Sequence, residues 1–144
     1  MHGQEVILAP GGASIAVIVP VLNEALRIGP LLDDLRRHDF AQLIVVDGGS
    51  DDGTADIVAA AGGVELVCTD RGRGKQLNAG AAKAQSDVLL FLHADTRLPD
   101  DACSYIWAAL GARDAVGGCF RLSFDTAHPL LSLYAKARDR KSVV

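Results

Sequence analysis

Hydrophobic positions along this chain come in two textures, short unbroken runs and longer stretches with helical spacing. Ile15–Pro20 (IAVIVP), Gln42–Val46 (QLIVV) and Val88–Leu92 are continuous and mostly β-branched or aliphatic, and Val64–Cys68 (VELVC) is a shorter run interrupted by Glu65, which predicts strands. A strand apolar at every position, as in Val88–Leu92, is expected to be covered on both faces. Between the runs the spacing turns helical. Asn23 stands where it can cap a helix with Leu26, Leu31, Leu32 and Leu35 on its apolar face, ending at Arg36, Arg37 and His38, where basic groups suit the dipole. Ser50 or Asp51 stands to cap a second helix through about Ala61, stopped by Gly62-Gly63. A third runs from Gln76 to Ala84 after the loop Gly72-Arg73-Gly74-Lys75, and a fourth follows Pro99 to about Leu110. Gly117–Phe124 then reads as a strand, and Pro129 to about Lys141 as an amphipathic helix. This alternation predicts an α/β fold: a doubly wound, mostly parallel, Rossmann-like sheet with helices on both faces. Right-handed crossovers give the strand order third, second, first, fourth.

Composition narrows the class. The 144 residues are 49% hydrophobic, with a mean hydropathy of +0.22, as expected for a sheet covered by helices. Residues 1–14 read as a leader and 15–144 as a single domain. The net charge of −4 argues against general nucleic-acid binding, which needs a basic face. Cys68, Cys103 and Cys119 are scattered and form no CxxC pair, so neither a zinc site nor a disulfide framework is indicated. No apolar run reaches the ~18 residues of a membrane span. The first residues lack the pattern of a signal peptide, so the expected location is the cytoplasm.

The candidate chemistry lies where strands end. Pro20–Glu24, Asp47–Gly53 and His93–Thr96 would cluster along one sheet edge, where open parallel sheets bind ligands. Asp95, beside His93, suits a hard divalent cation bridging to phosphate, or it simply caps the following turn. Asp47 can accept from ribose hydroxyls or a base N–H, or serve its own Asp-Gly-Gly-Ser turn. Arg71, Arg73 and Lys75 in a glycine-rich loop before a helix make a plausible diphosphate contact. The spacing fits neither a P-loop nor a GxGxxG fingerprint. Asn78 and Gly80 are placed to fix that helix on the sheet.

Together, Val19-Pro20-Val21-Leu22-Asn23-Glu24, Val45-Val46-Asp47-Gly48-Gly49-Ser50-Asp51-Asp52-Gly53-Thr54, Gly74-Lys75-Gln76-Leu77-Asn78-Ala79-Gly80 and Leu90-Phe91-Leu92-His93-Ala94-Asp95-Thr96 resemble the family-two glycosyltransferases of GT-A fold. The variants VVDGGS and FLHADT look most like a bacterial subgroup of small soluble enzymes. The resemblance covers about residues 15 to 124. It implies a glycosyltransferase moving a sugar from a nucleoside-diphosphate sugar to an unknown acceptor, metal-assisted by Mg²⁺ or Mn²⁺ and inverting. By the resemblance, Pro20, Asn23 and Glu24 line the nucleotide pocket, Asp47 contacts base or ribose, and Arg71 and Lys75 face the diphosphate. Gly48, Asn78, His93 and Ala94 complete the expected nucleotide-sugar site, and Asp95 matches the last acid of the D-x-D motif and is the expected metal ligand.

Three departures stand out. Gly48 occupies the place of a second Asp, and His93 that of the first D-x-D acid. The chain also stops before the family's acceptor half and catalytic base, so 15–144 reads as a truncated donor-binding half with no base to name. The alternatives are a non-catalytic nucleotide-binding module and, lower, a sugar nucleotidyltransferase, which would need a glycine-rich basic loop directly after the first strand. Expected partners are the nucleotide sugar and the acceptor, not nucleic acid. A homodimer and peripheral membrane association are both compatible with this reading.

Overall fold

The computed structural model describes residues 12–111 and 116–120. The chain divides into two compact units, Met1–Ala108, which carries the sheet, and Ala109–Val144. In the first, β1 (Ile15–Val21), α1 (Ala25–Leu35), β2 (Gln42–Asp47), α2 (Thr54–Ala60), β3 (Glu65–Cys68), α3 (Arg73–Lys83) and β4 (Val88–Phe91) alternate, followed by α4 (Ala102–Gly111), which crosses the division. The sheet order is β3-β2-β1-β4, and all three strand pairings are parallel. Both match the sequence expectation.

The period of two along β1 sorts its side chains onto two faces. Val17, Val19 and Val21 pack with Ile28, Leu31, Leu32 and Leu35 of α1, Val58 of α2 and Ala102 of α4. Ile18 packs with Ile44 and Val46 of β2 and with Ala79 and Ala81 of α3. Helices therefore cover both faces of β1 and β2. On the α3 side the approach is close because residue 80 is glycine. A Cβ there would stand 2.4 Å from Ile18 Cγ2 and 3.0 Å from Val46 Cγ2.

Several sequence expectations are corrected. Among the described residues, β4 is not covered on both faces. Val88 and Leu90 are partly buried, whereas Leu89 and Phe91 on the other face are exposed, because α3 packs over β1 and β2. The third helix begins at Arg73, so Gly74 and Lys75 lie in its first turn rather than in a loop. Asn23 does not cap α1. It adopts a left-handed backbone (φ 56°), and the N-cap position belongs to Glu24. Neither Ser50 nor Asp51 is the N-cap of α2; that position is Gly53, at φ 90°. Residues 117–120 of the expected strand Gly117–Phe124 have no regular secondary structure. The leader residues 1–11, the strand's remainder 121–124 and the helix 129–141 lie outside the described residues.

Candidate nucleotide-sugar site

The strand order changes direction between β1 and β4, and in open parallel sheets the ligand crevice is expected at such a point, along the carboxyl edge. Its geometry begins with the ladder. The Leu92 N–H donates to the Ile18 carbonyl at 3.0 Å. Two residues on, β1 presents Pro20, which has no N–H to donate. The chains after β1 and β4 are thereby free to part.

One wall of the crevice is a pair of interlocked loops. The backbone N–H groups of Asn23, Glu24 and Ala25 donate in succession to Ser50 Oγ (2.9 Å), Thr54 Oγ1 (2.9 Å) and Asp52 Oδ2 (3.0 Å). In return the Asp51 N–H donates to Asn23 Oδ1 at 2.9 Å. Asp52 Oδ1 also accepts from the Thr54 N–H at 3.0 Å. These contacts hold the Asp52 carboxyl below the ordinary carboxylate range; the Thr54 hydroxyl contributes most and the Ala25 amide next.

Asp47 is 4% exposed. Its Oδ2 accepts from the Gly49 N–H at 3.1 Å and the Ser50 N–H at 2.9 Å, and the Ser50 hydroxyl donates to Oδ1. Its carboxylate thus shapes its own turn. Gly48 lies on the Gln76 side chain, which a Cβ at 48 would meet at 3.0 Å. Gln76, itself buried, donates through Nε2 to the carbonyls of Val21 (2.8 Å) and Val46 (2.9 Å). One amide thereby ties α3 to the ends of β1 and β2. Neither Gln76 nor the trio Ser50, Asp52 and Thr54 is apparent from strand ends alone. The signal for the trio was the density of short hydrogen-bonding side chains in SDDGT.

The other wall is a single β-turn. The Thr96 N–H donates to the His93 carbonyl at 3.0 Å. Ala94 is buried in the core, while His93 and Asp95 on either side of it are exposed. Glu24 pairs with Arg27 at 2.8 Å. That pair raises the Arg27 guanidinium above its ordinary value, chiefly through the Glu24 hydrogen bond, and the Asp95 charge adds to the effect. Arg27, which strand-end reasoning missed, therefore carries positive charge paired with Glu24 and felt by Asp95. Arg71 is exposed just before α3, and Lys75 in its first turn reaches Asp70 at 3.8 Å with both groups largely solvated. Asn78 is exposed, so Gly80, not Asn78, sets the packing of α3.

Among the described residues no group of three or more His, Cys, Asp or Glu side chains could hold a metal ion. Asp95 supplies one exposed carboxylate. Such a donor set fits a hard cation whose remaining oxygens come from phosphate and water. It does not make a preformed protein cage. No helix among the described residues is long and apolar enough to cross a membrane.

A parallel sheet whose loops gather at a switch point on its carboxyl edge defines the class: an open, doubly wound α/β domain. The family model for glycosyl transferase family 2 matches residues 16–134, and the chain belongs to that family. Glycosyltransferase AglJ of Haloferax volcanii is 31% identical over 87 residues, covering 60% of this chain and 29% of that protein. A PGL/p-HBAD biosynthesis glycosyltransferase of Mycobacterium bovis is 36% identical over 109 residues, covering 69% and 42%. Among solved structures, glucosyl-3-phosphoglycerate synthase from Mycobacterium tuberculosis, in complex with Mn²⁺, UDP and glucosyl-3-phosphoglycerate, superposes with a TM-score of 0.56 at 27% identity, covering 69% of this chain and 39% of that one. Mannosyl-3-phosphoglycerate synthase from Rubrobacter xylanophilus gives 0.54 at 27% identity, covering 61% and 32%. The chain thus spans less than half the length of these relatives.

Proposed function

We propose that this chain is the donor-binding part of a glycosyltransferase that moves a sugar from a nucleoside-diphosphate sugar to an acceptor, with inversion and with Mg²⁺ or Mn²⁺. The observation that carries the reading is the reversal of strand order between β1 and β4, where the Asn23–Glu24 loop leaves one strand and exposed His93 and Asp95 follow the other. The relative solved with Mn²⁺ and UDP supports both the nucleotide and the metal.

In this reading Pro20, Asn23 and Glu24 line the nucleotide pocket. Asp47 presents the Gly48–Ser50 turn to base or ribose. Arg71 and Lys75 face the diphosphate, and Asp95 holds the cation against it, with His93 and Ala94 setting that turn. The cation, when bound, stabilises negative charge on the departing nucleoside diphosphate. The protein's own share is to orient the nucleotide and to place Arg27, Arg71 and Lys75 where diphosphate charge collects. Asn78, exposed on α3, contributes at the rim. No described residue is assigned as the acceptor site or the base.

Calorimetry of UDP binding with and without Mn²⁺ tests this. In wild type, Mn²⁺ strengthens binding. Asp95→Asn removes that strengthening, about tenfold or more for the loss of a sole carboxylate ligand. His93→Ala reduces it less. Metal dependence that is unchanged in Asp95→Asn overturns the assignment.

A further inference from the structure

Three consecutive backbone N–H groups, those of Asn23, Glu24 and Ala25, are taken by side chains of a different loop. This is unusual in its direction. A helix normally satisfies its first amides with its own N-cap side chain. The N-cap of α1, Glu24, makes no such bond; its carboxylate turns outward to Arg27. The N-cap of α2 is Gly53, which has no side chain to offer. Both helices instead share one acid. Asp52 Oδ2 takes the first amide of α1, and Asp52 Oδ1 takes the first amide of α2. Two positive helix ends converge on one carboxylate, an arrangement that favours its ionised form.

Resting on the reading above, we infer that Asp52 is a positioning residue of the nucleotide site: its carboxylate joins the N-termini of α1 and α2 and so fixes the β1–α1 loop that presents Asn23 and Glu24. Three observations converge on this role. Asn23 holds a positive φ that L-residues seldom adopt, and its flanking contacts, Ser50 to its N–H and Asp51 to its Oδ1, come from the same turn as Asp52. Thr54, wholly buried, passes the Asp52 contact on to the Glu24 amide. The depressed Asp52 carboxyl fits a group bonded in its charged state. Asp52 acts on the nucleotide only through the loop it holds.

The test uses the full chain, with UDP and Mn²⁺ as the probe and amide hydrogen exchange as a second readout. Asp52→Ala is expected to speed exchange at Glu24, Ala25 and Thr54 while β1 and β2 amides stay protected. It is expected to weaken UDP binding about five- to tenfold, the scale of a lost cap. Asp52→Asn keeps one acceptor oxygen and recovers part of the affinity, which a loss of bulk fold would not permit. Should Asp52→Ala expose the β1 amides as well, Ser50→Ala takes its place. That variant removes the Asn23 contact and is expected to give a smaller loss of the same kind. Unchanged UDP affinity in a folded Asp52→Ala chain overturns the proposal. So does weakened affinity with unchanged exchange at Glu24 and Ala25. Absence of UDP binding by wild type overturns the functional reading instead, and the exchange arm then decides alone whether Asp52 orders this loop.

Discussion

Ile18 and Phe91 are register partners on adjacent parallel strands, on the same face of the sheet, and they meet opposite fates. Ile18 is fully buried under α3, and Phe91 is 49% exposed. The contrast extends to the loops that leave these strands. The loop after β1 is fastened to the 50–54 turn by three side-chain acceptors, and the end of β1 is bonded to Gln76 from the opposite face. Among the described residues, the loop after β4 closes with one backbone turn bond and is anchored by the burial of Ala94 and Leu98. The proposed crevice therefore has one wall fixed by cross-loop bonds and one wall fixed by a single turn. Rigid placement suits recognition of a base, whose hydrogen-bonding edges are fixed. A simpler, exposed carboxylate suffices for a cation that draws most of its oxygens from the ligand.

The largest effect expected from breaking this contrast lies under α3. Ile18→Ala should destabilise by about 2–5 kcal/mol, the range for emptying a buried aliphatic site. Gly80→Ala should cost about 1–3 kcal/mol, because its methyl would meet Ile18 Cγ2 at 2.4 Å. The double variant should cost less than the sum of the two, since Ile18→Ala removes the atom that Gly80→Ala strikes. Urea unfolding of all four proteins measures the coupling. Strict additivity would mean that α3 does not rest on Ile18.

The sheet was legible in the sequence because strand runs and crossover handedness are global signals. Parallel pairing and the order β3-β2-β1-β4 follow from them. The capping assignments were not legible, for a specific reason. Rules for caps are local in sequence, and they put Asn23 on α1 and Ser50 or Asp51 on α2. The structure crosses them over. Asn23 accepts from Asp51, Ser50 serves Asn23, and Asp52 serves both helices. The bonds that reach Asn23 and Ala25 join residues 27 or 28 apart, a separation that periodicity does not report; only the Asp52–Thr54 bond is local. The coverage of β4 was misread for a related reason. An apolar run states what a strand could bury, whereas Leu89 and Phe91 depend on whether a helix lies above them. Candidate site residues at strand ends, such as Asp47 and Asp95, are proposed from their position and from the resemblance of their motifs. Gln76 was not singled out, because its role depends on where α3 crosses the sheet.

A smaller effect should appear at the amino end of the open wall. There Asp87 accepts from the Ser14 N–H at 2.8 Å and the Ser14 hydroxyl at 3.1 Å, and the Ser14 amide is the main cause of its lowered pKa. A carboxyl depressed in the folded state adds stability above its unfolded pKa, and that stability is lost as pH falls through the folded value. Asp87→Ala should therefore melt below wild type at pH 7. The gap should narrow as pH drops below the ordinary carboxylate range of about 4. Thermal melts across pH 2.5 to 7 (roughly the span bracketing that range) supply the measurement. A gap that widens toward acid would show that the Ser14 contact does not favour the charged form.

The smallest effect is expected where the two partners differ most. Phe91→Ser removes an aromatic ring, a change that costs about 3–5 kcal/mol at a packed position when made to alanine. At Phe91 half the residue is already in water, and α3 packs over β1 and β2 instead of this strand. Only the remaining buried area contributes, and serine leaves no polar atom stranded at so open a site. The expected cost is about 1 kcal/mol or less, against several for Ile18→Ala one strand away on the same face. Although Phe91 lies just before the His93–Asp95 turn, that turn is held by its own backbone bond and by Ala94, so UDP affinity with Mn²⁺ should stay within about twofold of wild type. Urea unfolding and calorimetry on Phe91→Ser and Ile18→Ala, run side by side, read both quantities. Equal destabilisation of the two variants would mean that the Phe91 face is covered in solution, and that both walls of the crevice rest on packed side chains.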